Sequence, residues 1–593
     1  MERKREWLSG MAERRGWRYH GSGAGPSHIH SITRITMSEA PSKLLLDAVY
    51  EHERRTPDRV YLTQPVGGGG VVDYTWGDTL AQARRMAAHL RSLELPPNSH
   101  IALISKNCAH FIICDLAIWL AGHVSVALYP TLNADTVSYI LDHSEARLVF
   151  IGKLDDWEEI RKGIPGDMPG IALPLAPETP YAAWDTVIAG HEPIADNPSP
   201  PAEQPLLIVY TSGSTGRPKG VVHSVGSASV PAQNLLAEQG IGPEDRVLSY
   251  LPLAHVMERA TVECASFYSG MHIFFSESLD TFLEDLRRAR PTLFISVPRL
   301  WLKFQMGVLG KFPERRLDLL LKLPLIGNVV RRRVLAGLGL EEVRIAASGS
   351  APLPADLINW YDRLGLQIRE GYGMSEDFAY SHMSTPQRRR AGYVGTPPRG
   401  VETRISDSGE ILIRSPGNML CYYKQPELTA QCYTDDGYFR TGDRGEYSAD
   451  GLLRITGRVK ELFKTSKGKY VAPVPIENLL NADSLIEASC VSGLGRPACF
   501  AVLQLAETLR PRLQDAELRA ELTPRLVALL ERVNAQVESY EALQFLAVVA
   551  EEWAVVNDFL TPTLKIKREV IESTYAPRLD AWYASGDRVI WPD

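Results

Sequence analysis

The chain has 593 residues, 45% of them hydrophobic, with 64 basic and 71 acidic side chains and a formal charge of −7. These values describe a globular protein with room for more than one core, and they exclude a globally cationic binder of nucleic acid or membrane; such contact would need a local patch. The seven cysteines (Cys108, Cys114, Cys264, Cys421, Cys432, Cys490 and Cys499) form no CxxC pair and no zinc-like cluster, which suits a reduced, cytoplasmic chain without structural metal.

Residues 1–36 are basic and lack both sustained periodicity and the apolar core of a secretory signal, so they read as a disordered tail, with Met37 a candidate start. From Lys43 the pattern is globular. A helix is predicted over 43–53, strands over 60–64 and 71–75 around a turn at Gly67 to Gly70, and a helix over 76–93. Strand-like IALIS, VSVALYP and RLVFIG then alternate with helical 110–121 and 136–143. The apolar run from Phe111 to Leu128 is broken by Asp115 and His123 and is not a membrane span. Strand–helix alternation implies stacked, mostly parallel sheets covered by helices, an α/β fold. Residues 165–204, rich in Pro, Ala and Asp, read as a surface excursion.

The stretch YTSGSTGRPKG, Tyr210 to Gly220, is built to hold phosphate. Gly213, Gly216 and Gly220 let backbone N–H groups approach an anion; Thr211, Ser212, Ser214 and Thr215 add hydroxyls, and Lys219 a cation. It is not a Walker A loop, because Lys219 is followed by Gly220 and β-branched Val221 and Val222 rather than by Ser or Thr opening a helix. Farther on, RVLSYLPL precedes a helix beginning at His255, a residue that alone reads more readily as structural. Residues 292–297 read as a buried strand. Residues 315–340 mix leucines with Arg331, Arg332 and Arg333, and a solvated basic turn is favoured over an amphipathic surface helix.

The SGSAPL turn, with Gly349, Ser350 and Ala351, offers a flat surface for an aromatic base. GYGMSE, with Gly371, Tyr372, Gly373, Met374, Ser375 and Glu376, offers a ring, a hydroxyl and one carboxylate suited to Mg²⁺. The turn DGYFRTGD ends in Asp443, and Arg458 follows Ile455 in ITGRVKELF. Singly, Asp443 reads equally as a turn residue, Arg458 as a surface ion pair and Glu376 as a cap. From 410 the pattern shifts to short strands, a β-subdomain, and a boundary falls near Gly457. This gives a large domain, 37–457, and a small α+β carboxy-terminal domain, 458–593.

Together and in this order, YTSGSTGRPKG, LPLAHVMER, SGSAPL, GYGMSE, GYFRTGD, ITGRVKELFKTSKGKYVAP and LTPTLKIKR resemble the adenylate-forming superfamily of acyl-CoA synthetases, luciferases and peptide-synthetase adenylation domains. The match runs from about Lys43 to Arg568, and KELFKTSKGKYVAPVPIE, PTLFISVPRLWLKFQ and TPTLKIKR look most like long-chain fatty acyl-CoA synthetases. Leu564 departs from the glycine many members carry before the catalytic lysine.

The resemblance implies ATP, Mg²⁺ and coenzyme A as co-substrates or cofactors, and a fatty acid activated to acyl-AMP and then to the thioester. Lys565 would bridge carboxylate and α-phosphate; Thr211 and Glu376 would serve the metal, and His255 would lie near the acyl carboxylate. The Thr211 to Lys219 loop would hold phosphates, and the SGSAPL and GYGMSE residues with Ile455, Asp443 and Arg458 would hold the nucleoside. Lys460 would be the hinge of a mobile small domain, and Lys464, Lys467, Gly468 and Lys469 would meet coenzyme A. An aryl-acid ligase, an acyl-AMP ligase serving a carrier protein, and an inactive nucleotide-binding regulator stay open. The expected setting is cytoplasmic, with no nucleic-acid partner and room for peripheral contact with the inner face of a membrane.

Overall fold

The computed structural model describes residues 43–211, 217–555, 557–561 and 565–592. Apolar runs that read as doubly covered strands become the centres of two eight-stranded sheets. In one, His100–Ile104, Val124–Leu128, Leu148–Ile151 and Pro205–Thr211 run parallel. In the other, His272–Phe275, Arg246–Ser249, Leu293–Ser296, Ile345–Ser348 and Ile368–Tyr372 do so. Antiparallel pairs lie toward the margins, including the hairpin of Val60–Gly67 with Gly70–Thr75 and the pairing of Lys219–Ser224 with Pro205–Thr211. The expected tail, 1–36, and Met37 lie outside the described residues.

Every residue of the helix Ala109–Leu120 is buried, and one core joins Ile104 and Val126 of the first sheet to Leu62 and Ile273 of the second. The apolar run that could not span a membrane is therefore the filling between two sheets. Its lone acid, Asp115, meets Arg259 at 2.9 Å, and Arg259 also reaches Glu263 at 3.3 Å, all three fully buried. Burial first, and then the neighbouring Asp115, hold the Glu263 carboxyl well above the usual carboxylate range. Arg259 and Glu263 belong to the π-helical turn Arg259–Cys264, which directly follows the short helix Val256–Glu258 capped by His255.

Four antiparallel strands, Glu402–Ile405, Glu410–Arg414, Phe439–Tyr447 and Leu453–Arg458, form the β-subdomain. The carboxy-terminal sheet, Ile486–Ser492, Cys499–Leu505, Leu543–Val548 and Val589–Ile590, has its own core with Leu526 and Leu530 of the helix Ala516–Asn534. Among the described residues no helix is long and apolar enough to cross a membrane.

Three expectations are corrected. Residues 165–204 are not only a surface excursion: Gly170–Ala172 and Ala182–Ala183 extend the first sheet and Trp184 is buried beneath them. Strands of three and two residues are too short to show a period. Asp443 is not in a turn; it lies within Phe439–Tyr447, where alternate residues Phe439, Thr441, Asp443 and Gly445 are buried. Arg331 to Arg333 lie inside the helix Ile326–Leu338, not in a basic turn.

Removing the guanidinium of the buried cluster leaves two acids without a cation. Arg259→Met is expected to cost about 3–5 kcal/mol, and Asp115→Asn in the same chain to recover part of it. Denaturant unfolding followed by tryptophan fluorescence checks this; an unchanged midpoint for Arg259→Met would show that the cluster contributes nothing to stability.

Candidate functional site

The carboxy-terminal strand ends of both sheets, the β-subdomain and the segment around Lys565 enclose one cleft of about 2100 Å³. Open α/β sheets bind ligands at such ends, where loops diverge. Thr211 and Lys219, paired across the two strands that flank the phosphate-like loop, both line it. Ser212, Gly213, Ser214, Thr215 and Gly216 lie outside the described residues, as does Leu564.

Gly349, Ser350 and Ala351 follow the strand Ile345–Ser348 at the cleft wall, with Ser350 at φ 68°. A Cβ on Gly349 would stand 3.5 Å from the Gly371 carbonyl oxygen, so this turn lies against the next strand end. Gly371, Tyr372, Gly373, Met374, Ser375 and Glu376 line the same wall. Gly373 is a packing requirement, because a Cβ there would come within 2.6 Å of the Ala379 backbone.

Asp443 ties this wall to the β-subdomain. Tyr372 donates its hydroxyl to Asp443 Oδ2 at 2.7 Å, and Arg458 Nε reaches Oδ1 at 2.9 Å from the directly opposed position on the next strand. The Asp443 charge in turn holds the Arg458 guanidinium above its ordinary pKa. Ile455 lines the cleft from the same strand as Arg458, and exposed Lys460 lies just past its end. Tyr422 donates its hydroxyl to Glu376 Oε1 at 2.7 Å, and the Lys219 ammonium lies 5.5 Å from the Tyr422 ring centre. Glu376 keeps its second oxygen for another partner. One such carboxylate and the Thr211 hydroxyl suit Mg²⁺, a hard cation that retains water and phosphate oxygens as most of its ligands.

His255 enters the cleft as the cap of the helix Val256–Glu258, and the Met257 backbone N–H donates to its Nδ1 at 3.2 Å. Burial, and then the Lys565 cation, push its pKa down to about 4. The ring is therefore neutral near pH 7 and carries its proton on Nε2, a hydrogen-bond donor without charge. Lys565 reaches solvent within the cleft but is crowded by protein, and that crowding, followed by Arg458, pushes its pKa below the usual lysine range; Asp443, Glu461 and Glu376 act in the opposite sense. Ala232, Leu235, Val256, Ala260, Leu293 and Ile345 give the cleft an apolar wall.

Lys464, Lys467, Gly468 and Lys469 are not brought to the cleft. They lie on or between the paired strands Phe463–Lys464 and Tyr470–Val471, where Lys464 stands over Tyr470 at 5.4 Å and Lys469 over Tyr540 at 5.6 Å.

Two contributors escaped the sequence reading. Tyr422 is joined to Glu376 across 46 residues, and nothing local marks it. Buried His223 donates from Nε2 to the Ser375 carbonyl at 2.7 Å, its pKa pushed down to about 4 by burial, and so fixes the turn that presents Glu376. A histidine inside the apolar VVHS strand was its one available signal.

The description of the AMP-binding enzyme family matches residues 49–423, and that of the AMP-binding enzyme carboxy-terminal domain matches 461–587. The chain belongs to this family of adenylate-forming enzymes. It is 30% identical over 586 residues to the long-chain-fatty-acid–CoA ligase FadD15 of Mycobacterium bovis, covering 90% of this chain and 96% of that protein. Identity to long-chain-fatty-acid–CoA ligase 1 of Homo sapiens is 26%, over 84% of this chain and 80% of that one. The fold matches the adenylation domain of carboxylic acid reductase from Segniliparus rugosus, in complex with AMP and a co-purified carboxylic acid (TM-score 0.76, 20% identity, 91% of this chain and 94% of that one). It also matches the anthranilate CoA ligase AuaEII in complex with anthranoyl-AMP (TM-score 0.73, 20% identity, 91% and 98%).

The loop that presents His255 is held by a buried network. Asn107 accepts from Leu253 N at 2.9 Å and donates to the Leu251 carbonyl at 2.6 Å, and Ser249 donates to Glu258 Oε1 at 2.7 Å. Burial pushes the Glu258 carboxyl up from 4.5 to about 8. Folded protein therefore keeps a proton that the unfolded chain releases, and this contribution to stability is lost as pH rises from about 4.5 toward 8. Apparent Tm is expected to fall between pH 5 and pH 8, and to fall less in Glu258→Gln; equal slopes would show that Glu258 is ionised in the fold.

Proposed function

We propose that the chain is an AMP-forming acid–thiol ligase that activates fatty acids, long-chain by preference, and transfers them to coenzyme A. The observation that carries this reading is the position of Lys565. The carboxy-terminal segment delivers a cation into a cleft that already holds a neutral histidine donor, a carboxylate–tyrosine–arginine cluster and an apolar wall. The names of the relatives support a fatty acid and coenzyme A. The anthranilate ligase and the reductase adenylation domain keep two other readings in view: an aryl-acid ligase, and an acyl-AMP former that serves a carrier.

In the first step a carboxylate oxygen attacks the α-phosphorus of ATP, the bond to the β-phosphate oxygen breaks, and pyrophosphate leaves. Two anions must be held together, and the chain supplies opposite charge and donors on both sides: Lys565 at the forming bond, Lys219 and the Thr211 loop at the leaving phosphates, and His255 Nε2–H toward the carboxylate. Gly349, Ser350, Ala351 and Tyr372 would face the adenine, while Asp443 and Arg458 would take the ribose hydroxyls. Mg²⁺ held at Glu376 and Thr211 would neutralise phosphate charge. In the second step the thiol sulfur attacks the acyl carbon, AMP leaves with the electron pair, and the thiol proton passes to solvent. Residues 458–593 would act as a lid that turns about Lys460, withdrawing Lys565 and bringing in the face of Lys464, Lys467, Gly468 and Lys469 for coenzyme A phosphates. Seven unpaired cysteines suit a cytoplasmic setting.

Pyrophosphate release measured across acids of increasing length, with and without coenzyme A, tests the reading; it is expected to be acid-dependent and strongest with long chains. Release with aryl acids alone, or no release with any acid, would overturn it.

Glu376→Gln is expected to raise the Mg·ATP requirement of adenylation strongly while leaving the melting profile unchanged. An unaltered ATP dependence would remove Glu376 from the metal site.

Lys565→Ala is expected to lose adenylation by about 10²–10³-fold or more, the scale of a lost preorganised charge, yet to convert supplied acyl-AMP to the thioester. Lys460→Pro, whose fixed φ cannot absorb a large rotation, is expected to make acyl-AMP and fail at the thioester. Equal loss in both half-reactions for Lys565→Ala, or normal thioester formation by Lys460→Pro, would refute the division of labour.

A further inference from the structure

The helices Glu314–Lys322 and Ile326–Leu338 form a hairpin with two unlike faces. Leu317, Leu321 and Leu338 pack inward, in the core cluster of Trp301, Trp360 and Tyr361. Leu319, Leu323, Leu325, Ile326 and Val329 point outward, and Leu325, at the tip, is 84% exposed. Single exposed apolar side chains are ordinary, but a row of five along one edge marks an interaction surface.

The tip has an unusual backbone. Leu325 has φ 68° and ψ −53°, and the Ile326 N–H donates across it to the Pro324 carbonyl at 2.8 Å. This is the three-residue turn of the strained hand, which bulky residues rarely adopt. Glycine would satisfy it better, yet the position carries a large apolar side chain turned to solvent.

Charge selects the occupant. Residues 311–333 contain seven basic residues and two acidic ones, in a chain whose net charge is −7. Both acids, Glu314 and Asp318, are taken by Arg363 of the adjoining helix. Arg315, Arg316, Lys322, Arg332 and Arg333 form no ion pair among the described residues. Helical spacing places Arg315, Leu319 and Lys322 on one face of the first helix, and Ile326, Val329 and Arg333 on one face of the second. An apolar crest flanked by unpaired cations matches a bilayer interface, where side chains enter the acyl boundary and cations meet anionic headgroups. A second copy docking through the same face would oppose like charges. The chain's own residues 1–36, with seven basic and three acidic side chains, carry the wrong sign to cover it.

We propose that this hairpin docks the protein on anionic lipid bilayers, with Leu325 and its apolar neighbours inserted and the flanking arginines and lysines on the headgroups. None of residues 311–333 lines the catalytic cleft, so docking and chemistry are separable by mutation.

The test is co-sedimentation of the full chain with vesicles of phosphatidylcholine mixed with phosphatidylglycerol, and of phosphatidylcholine alone, at low and high salt. Wild type is expected to pellet with the mixed vesicles, to stay in the supernatant with phosphatidylcholine alone, and to be released by salt. Joint Arg332→Glu and Arg333→Glu should weaken binding by roughly thirty-fold or more, and Leu325→Glu should weaken it as well. Leu325→Gly removes the side chain while easing the positive φ, so its loss of binding would not come from misfolding. Thermal melts, and pyrophosphate release with a short, soluble acid, should be unchanged in all three. Wild type left in the supernatant with the mixed vesicles, as an acidic protein partner would predict, overturns the proposal. So does pelleting of Leu325→Gly and the arginine pair as strongly as wild type, or a vesicle-free dimer that Leu325→Glu dissociates.

Discussion

The Asp443 carboxylate is the contact on which the geometry of the cleft depends. It accepts the Tyr372 hydroxyl from the end of a strand in the second large sheet and pairs with Arg458 on the neighbouring strand of the β-subdomain. A carboxylate this buried is costly unless paired, so the subdomain cannot slide along the sheet without leaving it unsatisfied. Lys565 enters the field of the same group, although the Arg458 cation beside it opposes its own charge. One acid thus sets the relation among a strand end of the large sheet, a subdomain and the segment that carries Lys565.

Deeper in the molecule a different polar device fixes the opposite wall. The helix filling the space between the sheets is apolar except at a few positions, and its Asp115 anchors Arg259, four residues after His255. The Asn107, Ser249 and Glu258 network secures the same loop from the other side. Both networks are buried, and between them they hold a histidine whose protonation state is set by its surroundings. A neutral imidazole with its proton on Nε2 can steer a carboxylate by hydrogen bonding without adding another charge to a site rich in cations.

The hairpin with Leu325 at its tip follows another logic. Its inward face is ordinary core, its outward face has neither burial nor charge compensation, and it supplies no wall of the cleft. A surface of this kind, on an enzyme proposed to use fatty acids, relates to where an apolar substrate is found rather than to how it reacts. On those two proposals, the cleft and the crest answer separate demands of a substrate with an anionic head and an apolar tail.

Much was determined by the sequence itself. Parallel strands covered on both faces are written as short apolar runs, and glycine, hydroxyl and lysine clusters at their ends are legible as candidate phosphate sites before any packing is known. The tertiary structure decided what depends on residues far apart. Asp443, a turn residue by its neighbours, is a strand residue because Phe439, Thr441 and Gly445 alternate into a core visible only once Glu410–Arg414 lies beside them. Tyr422 and His223 act on Glu376 and Ser375 through bonds across 46 and 152 residues, which no local pattern encodes. Lys464, Lys467 and Lys469, read from their motif as coenzyme A contacts, lie outside the cleft in the arrangement that places Lys565 inward. Composition and spacing determine which groups are present and which local shapes they prefer, whereas pairing between distant strands determines which groups share a low-dielectric space, and with it their charge.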